Sequence, residues 1–269
     1  MGDLRQTSLS IGLVNWLSCI SAIVDRDITT RYAGGVLGHA WAIIIPVSWI
    51  LAITLFFRFI GRTAPIQVDL PTFLATGMFP YLMFRQSITS MSRSIRSNRH
   101  LITLGPTKPE DIFTATAVLE CINAILISAV ILIGIGLWSG FPEIYNPMVA
   151  LSGLALTLGF GVALGRLAAV AARLSDSAMR LIPIVLRPFF WVSGIFFIAA
   201  EVPDPILSWL WFNPLLHTIE LLRVGFFPGF TSQFCNPLVP VFATIFIYLA
   251  SRLLEAHINS KKGQGFIST

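Results

Sequence analysis

Residues Pro147 to Ala172 form an apolar run of 26 residues interrupted by one charge, Arg166, and Ile112 to Trp138 form another interrupted only by Glu120. A helix needs roughly 17–25 such residues to cross the hydrocarbon layer of a bilayer. Comparable runs cover Leu37–Phe59, Phe73–Ser90, Met179–Ala200 and Leu238–Leu254. In lipid a helix satisfies its own backbone groups, and few other structures can. The chain is therefore expected to be an all-α membrane protein with six transmembrane helices. Its charge content of 12%, against about 25% in soluble domains, agrees.

Two stretches fit neither a span nor a loop. From about Ser10 to Thr30, Leu13, Trp16, Leu17, Ile20, Val24 and Ile28 recur at helical spacing, while Asn15, Ser18, Ala22, Asp25 and Arg26 take the other side. That pattern describes an amphipathic helix lying in the membrane interface. Between Asp204 and Phe230 the apolar segments are broken by Asn213-Pro214, His217, Glu220, Arg223 and Pro228-Gly229. They read either as a seventh span or as two short helices that enter and leave the outer face.

Charge decides between these two. With six spans and both termini cytoplasmic, thirteen of the 18 basic residues fall inside, and only Arg62 and Arg223 fall clearly outside. This is the positive-inside pattern. The whole chain, 1–269, then reads as one transmembrane domain with an interface helix at about 10–30, a cytoplasmic loop at 92–111 and a re-entrant outer segment at 204–230. Met1 to Asn15 include Asp3 and lack a compact apolar run before a small-residue cleavage site, so no removable signal peptide is expected.

Little in the sequence points to catalysis. The lysines Lys108, Lys261 and Lys262 follow no phosphate-cradling glycine pattern, so the chain is not expected to hydrolyse ATP itself. Cys19, Cys121 and Cys235 lie far apart, with no histidine at ligand spacing, so neither a disulfide nor a metal site is expected. The basic residues are not gathered into a patch with aromatic platforms, which argues against nucleic acid. An intramembrane enzyme acting on lipid-linked sugars is the rival class, and it would need a cluster of acidic or histidine residues at one membrane face.

Charges inside the spans are costly and usually face a partner or a cavity. Arg85, Glu120 and Arg187 all fall about 12 Å above the inner face at ~1.5 Å per residue, so Glu120 is expected to pair with Arg85 or Arg187. Trp41, Trp49 and Phe56 in the first span, with Phe190 and Trp191 in the fifth, are candidates to stack on sugar rings along a path. They can equally form an interfacial aromatic belt.

The 92–111 loop holds Arg93, Arg96 and Arg99 at three-residue spacing, which puts them on one side of a helix. Leu101, Ile102 and Leu104 follow, and Gly105, Pro106 and Pro109 stop the helix before Glu110-Asp111 begin the next. Such a cationic helix is either a topology anchor or a handle for another protein.

The chain resembles the membrane subunit of ATP-binding-cassette exporters for bacterial surface polysaccharides, the type-2 permease family, and is most similar to its capsule branch. The resemblance rests on Asp27-Ile28-Thr29-Thr30-Arg31-Tyr32, on Leu37-Gly38-His39-Ala40-Trp41-Ala42 with Pro46, on the arginine loop running into Lys108-Pro109-Glu110-Asp111-Ile112, and on Asn213-Pro214-Leu215. It implies a homodimer in the bacterial inner membrane that moves a lipid-terminated glycan outwards. ATP and Mg2+ would bind a separate cytoplasmic ATPase subunit, and the chain itself would bind no cofactor. Arg93, Arg96, Asn98, Arg99 and Leu101 are carried over as ATPase contacts on a coupling helix. The helix bearing Trp16, Asp25, Arg26 and Arg31 is carried over as a gate, and the outer segment with Asn213, Pro214, Glu220 and Arg223 as a re-entrant closure. For a capsule exporter, periplasmic and outer-membrane partners are also implied. O-antigen and teichoic-acid exporters share this layout and remain alternatives.

Overall fold

The computed structural model describes residues 2–31, 36–104, 107–140, 143–175 and 177–264. Side chains are described from residue 16 onwards, except at 31, 36–43, 45, 46, 104, 139, 178 and 261–264. Arg31, His39, Trp41, Pro46, Lys261 and Lys262 thus lie outside the described side chains.

Proline placed just behind a capping side chain starts several helices. Asp69 accepts hydrogen bonds from the Thr72 amide (3.1 Å) and hydroxyl (2.8 Å), starting α3, Leu70–Ser97. Asn146 caps α6, Pro147–Ala171, and Asn213 caps α9, Pro214–Phe226. In each case the side-chain oxygen takes a backbone N–H left over in the first turn, and proline occupies a position that needs no donor. The remaining helices are α1 (Gly2–Arg31), α2 (Val36–Phe59), α4 (Arg99–Leu104), α5 (Pro109–Ser139), α7 (Ser177–Val192), α8 (Asp204–Leu210) and α10 (Leu238–Gln264). No strand occurs among the described residues.

The bundle is built around α6, which packs against α3, α9 and α10. Glycine makes the closest of these approaches possible. A methyl group on Gly165 would sit 2.7 Å from Met91 Cβ and 2.9 Å from Ile88 Cα of α3, and one on Gly225 of α9 would sit 2.2 Å from the Ala150 nitrogen of α6. Small residues at such contacts let helices associate by backbone proximity where lipid supplies no hydrophobic drive. Phe73, Leu74, Met78, Phe84, Ile195, Leu215 and Ile219 form the main core between α3, α9 and the segment after α7.

Helices α5, α6 and α10 are long and apolar enough to cross a membrane. Several expected boundaries differ from those observed: α1 starts at Gly2 and not near Ser10, and α10 runs on to Gln264 and not to Leu254. The second span was expected to end near Ser90, but α3 continues to Ser97, because hydropathy marks the edge of the hydrocarbon and not the end of the helix. Arg93 and Arg96 therefore belong to α3, Asn98 forms the break, and only Arg99 starts α4. The three arginines do not share one short helix. The fifth run was expected to be helical to Ala200, but α7 stops at Val192. Gly194 then takes a left-handed φ of +77°, and the chain runs irregularly to a single 3-10 turn, Ala199–Glu201. The 16 residues of α7 span about 24 Å.

Candidate functional site

A cavity of about 1020 Å³ lies between α2, α3, α7 and the segment that follows α7. Arg85 and Arg93 of α3, Arg180 and Arg187 of α7, and Arg62 from the α2–α3 connection line it, and no acidic side chain does so among the described residues. Helices α3 and α7 run in opposite directions, since Tyr81 and Phe84 meet Phe190 and Phe189. Arg85 and Arg187 therefore sit deeper, with Arg93 and Arg180 towards one end. Each helix repeats its arginine after two turns, about 10–12 Å.

Aromatic side chains share the rest of the wall with aliphatic ones such as Ile53, Leu82 and Leu186. The ring of Phe190 meets Tyr81 at 5.0 Å, Phe196 at 5.2 Å, Trp191 at 5.4 Å and Trp49 at 6.3 Å, all edge-on. Phe56 and Phe57 of α2 complete this end of the wall. Arg62 is held here, donating to the Phe196 carbonyl at 2.8 Å and lying over the Phe57 ring. Of the residues expected to line a glycan path, the structure thus brings together Trp49, Phe56, Phe190 and Trp191, while Trp41 lies outside the described side chains. Arg85 and Arg187 share this wall. Glu120 is 2% exposed on α5 and is not among the described lining residues.

At one end of the cavity the irregular segment after α7 is fixed by α9. Arg223 is fully buried and donates to the carbonyls of Gly194 (2.7 Å), Phe197 (3.0 Å) and Ile195 (3.0 Å), with its guanidinium over the Phe73 ring. Glu220 accepts from the Ala199 amide at 3.1 Å, and the Asn213 amide nitrogen donates to the Val192 carbonyl at 3.0 Å. The four residues of the 204–230 segment singled out by sequence therefore act on one object: Asn213 and Pro214 start α9, and Asn213, Glu220 and Arg223 grip residues 192–199. Irregular backbone of this kind is tolerated at membrane depth only when protein satisfies its polar groups.

At the opposite end, α1 docks on the loop between α3 and α5. Ile20, Ile23 and Val24 of α1 pack with Ala115 of α5 and Leu101 of α4. Arg26 donates to His100 Nε2 at 2.7 Å, to Asp27 at 2.7 Å and to the Asn98 side-chain oxygen. Trp16 Nε1 donates to Asp111 at 3.0 Å, and the other oxygen of Asp111 accepts from the Lys108 amide at 2.8 Å. Asp25 is exposed. Asn98 is 1% exposed, so it lies inside this junction, whereas Arg93, Arg96 and Arg99 are exposed. Arg96 and Arg99 share a groove of about 550 Å³ with Arg173 and Met179.

One constellation is not among the residues that the sequence pattern singles out. Arg166, 4% exposed on α6, forms a bidentate pair with Glu110 (2.7 and 2.8 Å) and also reaches Glu255 (2.7 Å) and Ser251 (3.1 Å) of α10. Arg252 pairs with Glu110, and Arg173 with Glu255 at 3.3 Å. The available signal was an arginine six residues before the end of an apolar run, with acids at the same end of two other runs. Counting Arg166 only as an inside charge concealed it.

Residues 18–227 match the family model of the ABC-2 type transporter. The chain belongs to that family. This ABC-2 chain is also 27% identical over 80% of its length to the polysialic acid transport protein KpsM of Escherichia coli, covering 83% of that protein. It is 25% identical to the capsule polysaccharide export inner-membrane protein CtrC of Neisseria meningitidis, with 88% and 89% of the two chains covered. It is 22% identical to the O-antigen export system permease protein RfbA of Myxococcus xanthus, with 91% and 94% covered.

Proposed function

We propose that this chain is the membrane subunit of an ATP-driven exporter that moves a capsular, lipid-terminated polysaccharide across the bacterial inner membrane. The observation that carries the reading is the cavity in which five arginines and a cluster of aromatic side chains face one space. Aromatic faces stack on sugar rings, and unopposed guanidinium groups suit the phosphate or carboxylate groups of an acidic glycan and its lipid anchor. The names of the relatives KpsM and CtrC point the same way.

In this reading α2, α3, α5, α6, α7 and α10 are the six spans, with both termini cytoplasmic, and α8 and α9 form a re-entrant outer element. Contact between α9 and α6 from Ala150 down to Thr157, which meets Thr218 at 2.8 Å, supports that depth. Two copies of the chain enclose the channel, and a separate ATPase dimer holds ATP and Mg2+. Arg96 and Arg99, exposed at the end that gathers α1 and α4, are its dock, and half-buried Leu101 lies beside them. The test is co-purification with the candidate ATPase in mild detergent, scoring hydrolysis with and without glycan. Absence of association, or hydrolysis indifferent to any acidic glycan, would count against it. RfbA supports a second reading, in which the cargo is O-antigen; glycan class in the same assay separates the two.

A further inference from the structure

The α1 helix touches the 98–111 loop at both of its ends. At the start of the loop, Arg26 grips the helix break through the Asn98 side-chain oxygen and His100 Nε2. At its close, Trp16 donates to Asp111, the same carboxylate that caps α5 through the Lys108 amide. Trp16 and Arg26 are ten residues apart, about 15 Å along the helix. Between them Ile20, Ile23 and Val24 pack on Leu101 and Ala115. Two polar clamps with an apolar contact between them fix α1 against residues 98–101 at one end and Asp111 at the other.

We propose that α1, Asn98 with helix α4, and the start of α5 move as one rigid body, with Asn98 as the positioning residue that locks them together. Asn98 is suited to this because its amide faces two ways. Its nitrogen donates to the Ser94 carbonyl at 3.0 Å, which ties it to the last turn of α3, and its oxygen accepts from Arg26. Buried at 1% exposure, it offers nothing to a partner protein. A displacement imposed on the loop by a docked ATPase is therefore handed to α1 directly. The proposal rests on the reading of the loop as that dock, and goes beyond it by assigning a transmission route within the chain.

The test compares glycan exported per ATP hydrolysed, using the chain assembled with its ATPase in vesicles. Asn98→Ala is expected to keep ATPase association and hydrolysis within about twofold of wild type while export per ATP falls at least tenfold. Arg26→Ala, at a partly exposed position, is expected to give the same uncoupling, and the double variant is expected to be no worse than either alone. Asn98→Asp keeps an acceptor for Arg26 and is expected to restore at least half of the coupling, which guards against a mere folding defect. Wild-type export per ATP in Asn98→Ala would overturn the proposal, as would additive losses in the double variant. Loss of ATPase association in Asn98→Ala would overturn it too, by making Asn98 part of the dock's shape. Failure of the wild-type chain to bind the ATPase would instead remove the reading on which the proposal stands.

Discussion

Arg166 on α6 holds Glu110 at the start of α5 through two parallel charge-assisted hydrogen bonds, 2.7 and 2.8 Å long. The pair extends to Glu255 and Ser251, so one guanidinium joins α5, α6 and α10 at the same end of the bundle. The aromatic rings of Phe113 and Tyr248 flank it. Planar fork geometry makes this an arginine site and not a general cation site.

Removing Arg166 leaves Glu255 buried with its main partner lost. Arg166→Met is expected to cost on the order of 3–5 kcal/mol, the scale for breaking a buried pair on one side. Arg166→Lys is expected to recover little, since an ammonium cannot serve Glu110 bidentately while reaching Glu255. Thermal unfolding in detergent, followed by loss of the monodisperse peak, reads this. A Lys variant as stable as wild type would show that charge alone is what α6 contributes.

The cavity arginines should behave differently, because they are exposed to the cavity and their loss strands no buried acid there. Arg85→Gln combined with Arg187→Gln is expected to leave folding and ATPase association intact and to weaken binding of an acidic glycolipid at least tenfold. Each charge-assisted contact is worth about 1.5–3 kcal/mol, and a factor of ten needs only about 1.4. Binding measured at two salt concentrations checks the cause, since the double variant should lose most of the salt dependence. Equal loss for a neutral glycolipid would move the explanation from charge to shape.

Helix α6 was legible almost to the residue, because Asn146-Pro147 is a local start signal and the apolar run ends where the helix does. The end of α7 was not. Ile195, Phe196, Phe197 and Ile198 are as apolar as a span, and nothing local announces that the carbonyls of Ile195 and Phe197 are taken by Arg223, more than twenty residues later. The aromatic path and Arg85 and Arg187 were nominated separately, and only packing of α2, α3 and α7 joins them in one wall. Asn98 read as a surface contact because its sequence neighbours are charged. It is buried and accepts a hydrogen bond from Arg26 of α1, and spacing does not encode a contact between residues so far apart.

The clamp on residues 193–199 gives a sharp stability test. Arg223→Met strands the carbonyls of Gly194, Ile195 and Phe197, and each unsatisfied buried group costs about 1–3 kcal/mol. Gly77→Ala should injure the same place from the other side, since its methyl would lie 2.8 Å from both Arg223 Nη2 and Ile195 Cα. Both variants are expected to increase protease cleavage between Ser193 and Val202 while leaving α6 protected. Because they act on one clamp, the double variant should lose less than the sum of the two.

The arginine loop offers the test that separates a handle from an anchor. In the proposed orientation Arg96 and Arg99 count among the inside charges, and both are exposed beside a groove lined by Arg173 and Met179. Arg96→Glu with Arg99→Glu changes the local charge by four, yet Arg93, Lys108, Arg173 and Arg180 remain to hold the loops inside. Insertion and topology, read by cysteine accessibility from each side, are therefore expected to be unchanged. Co-purification of the ATPase and export of glycan are expected to fall at least tenfold, because like charge across a docking surface costs both on-rate and affinity. If topology inverts or insertion fails while any correctly inserted fraction still binds the ATPase, the arginines serve orientation and the dock must be sought elsewhere on the same face.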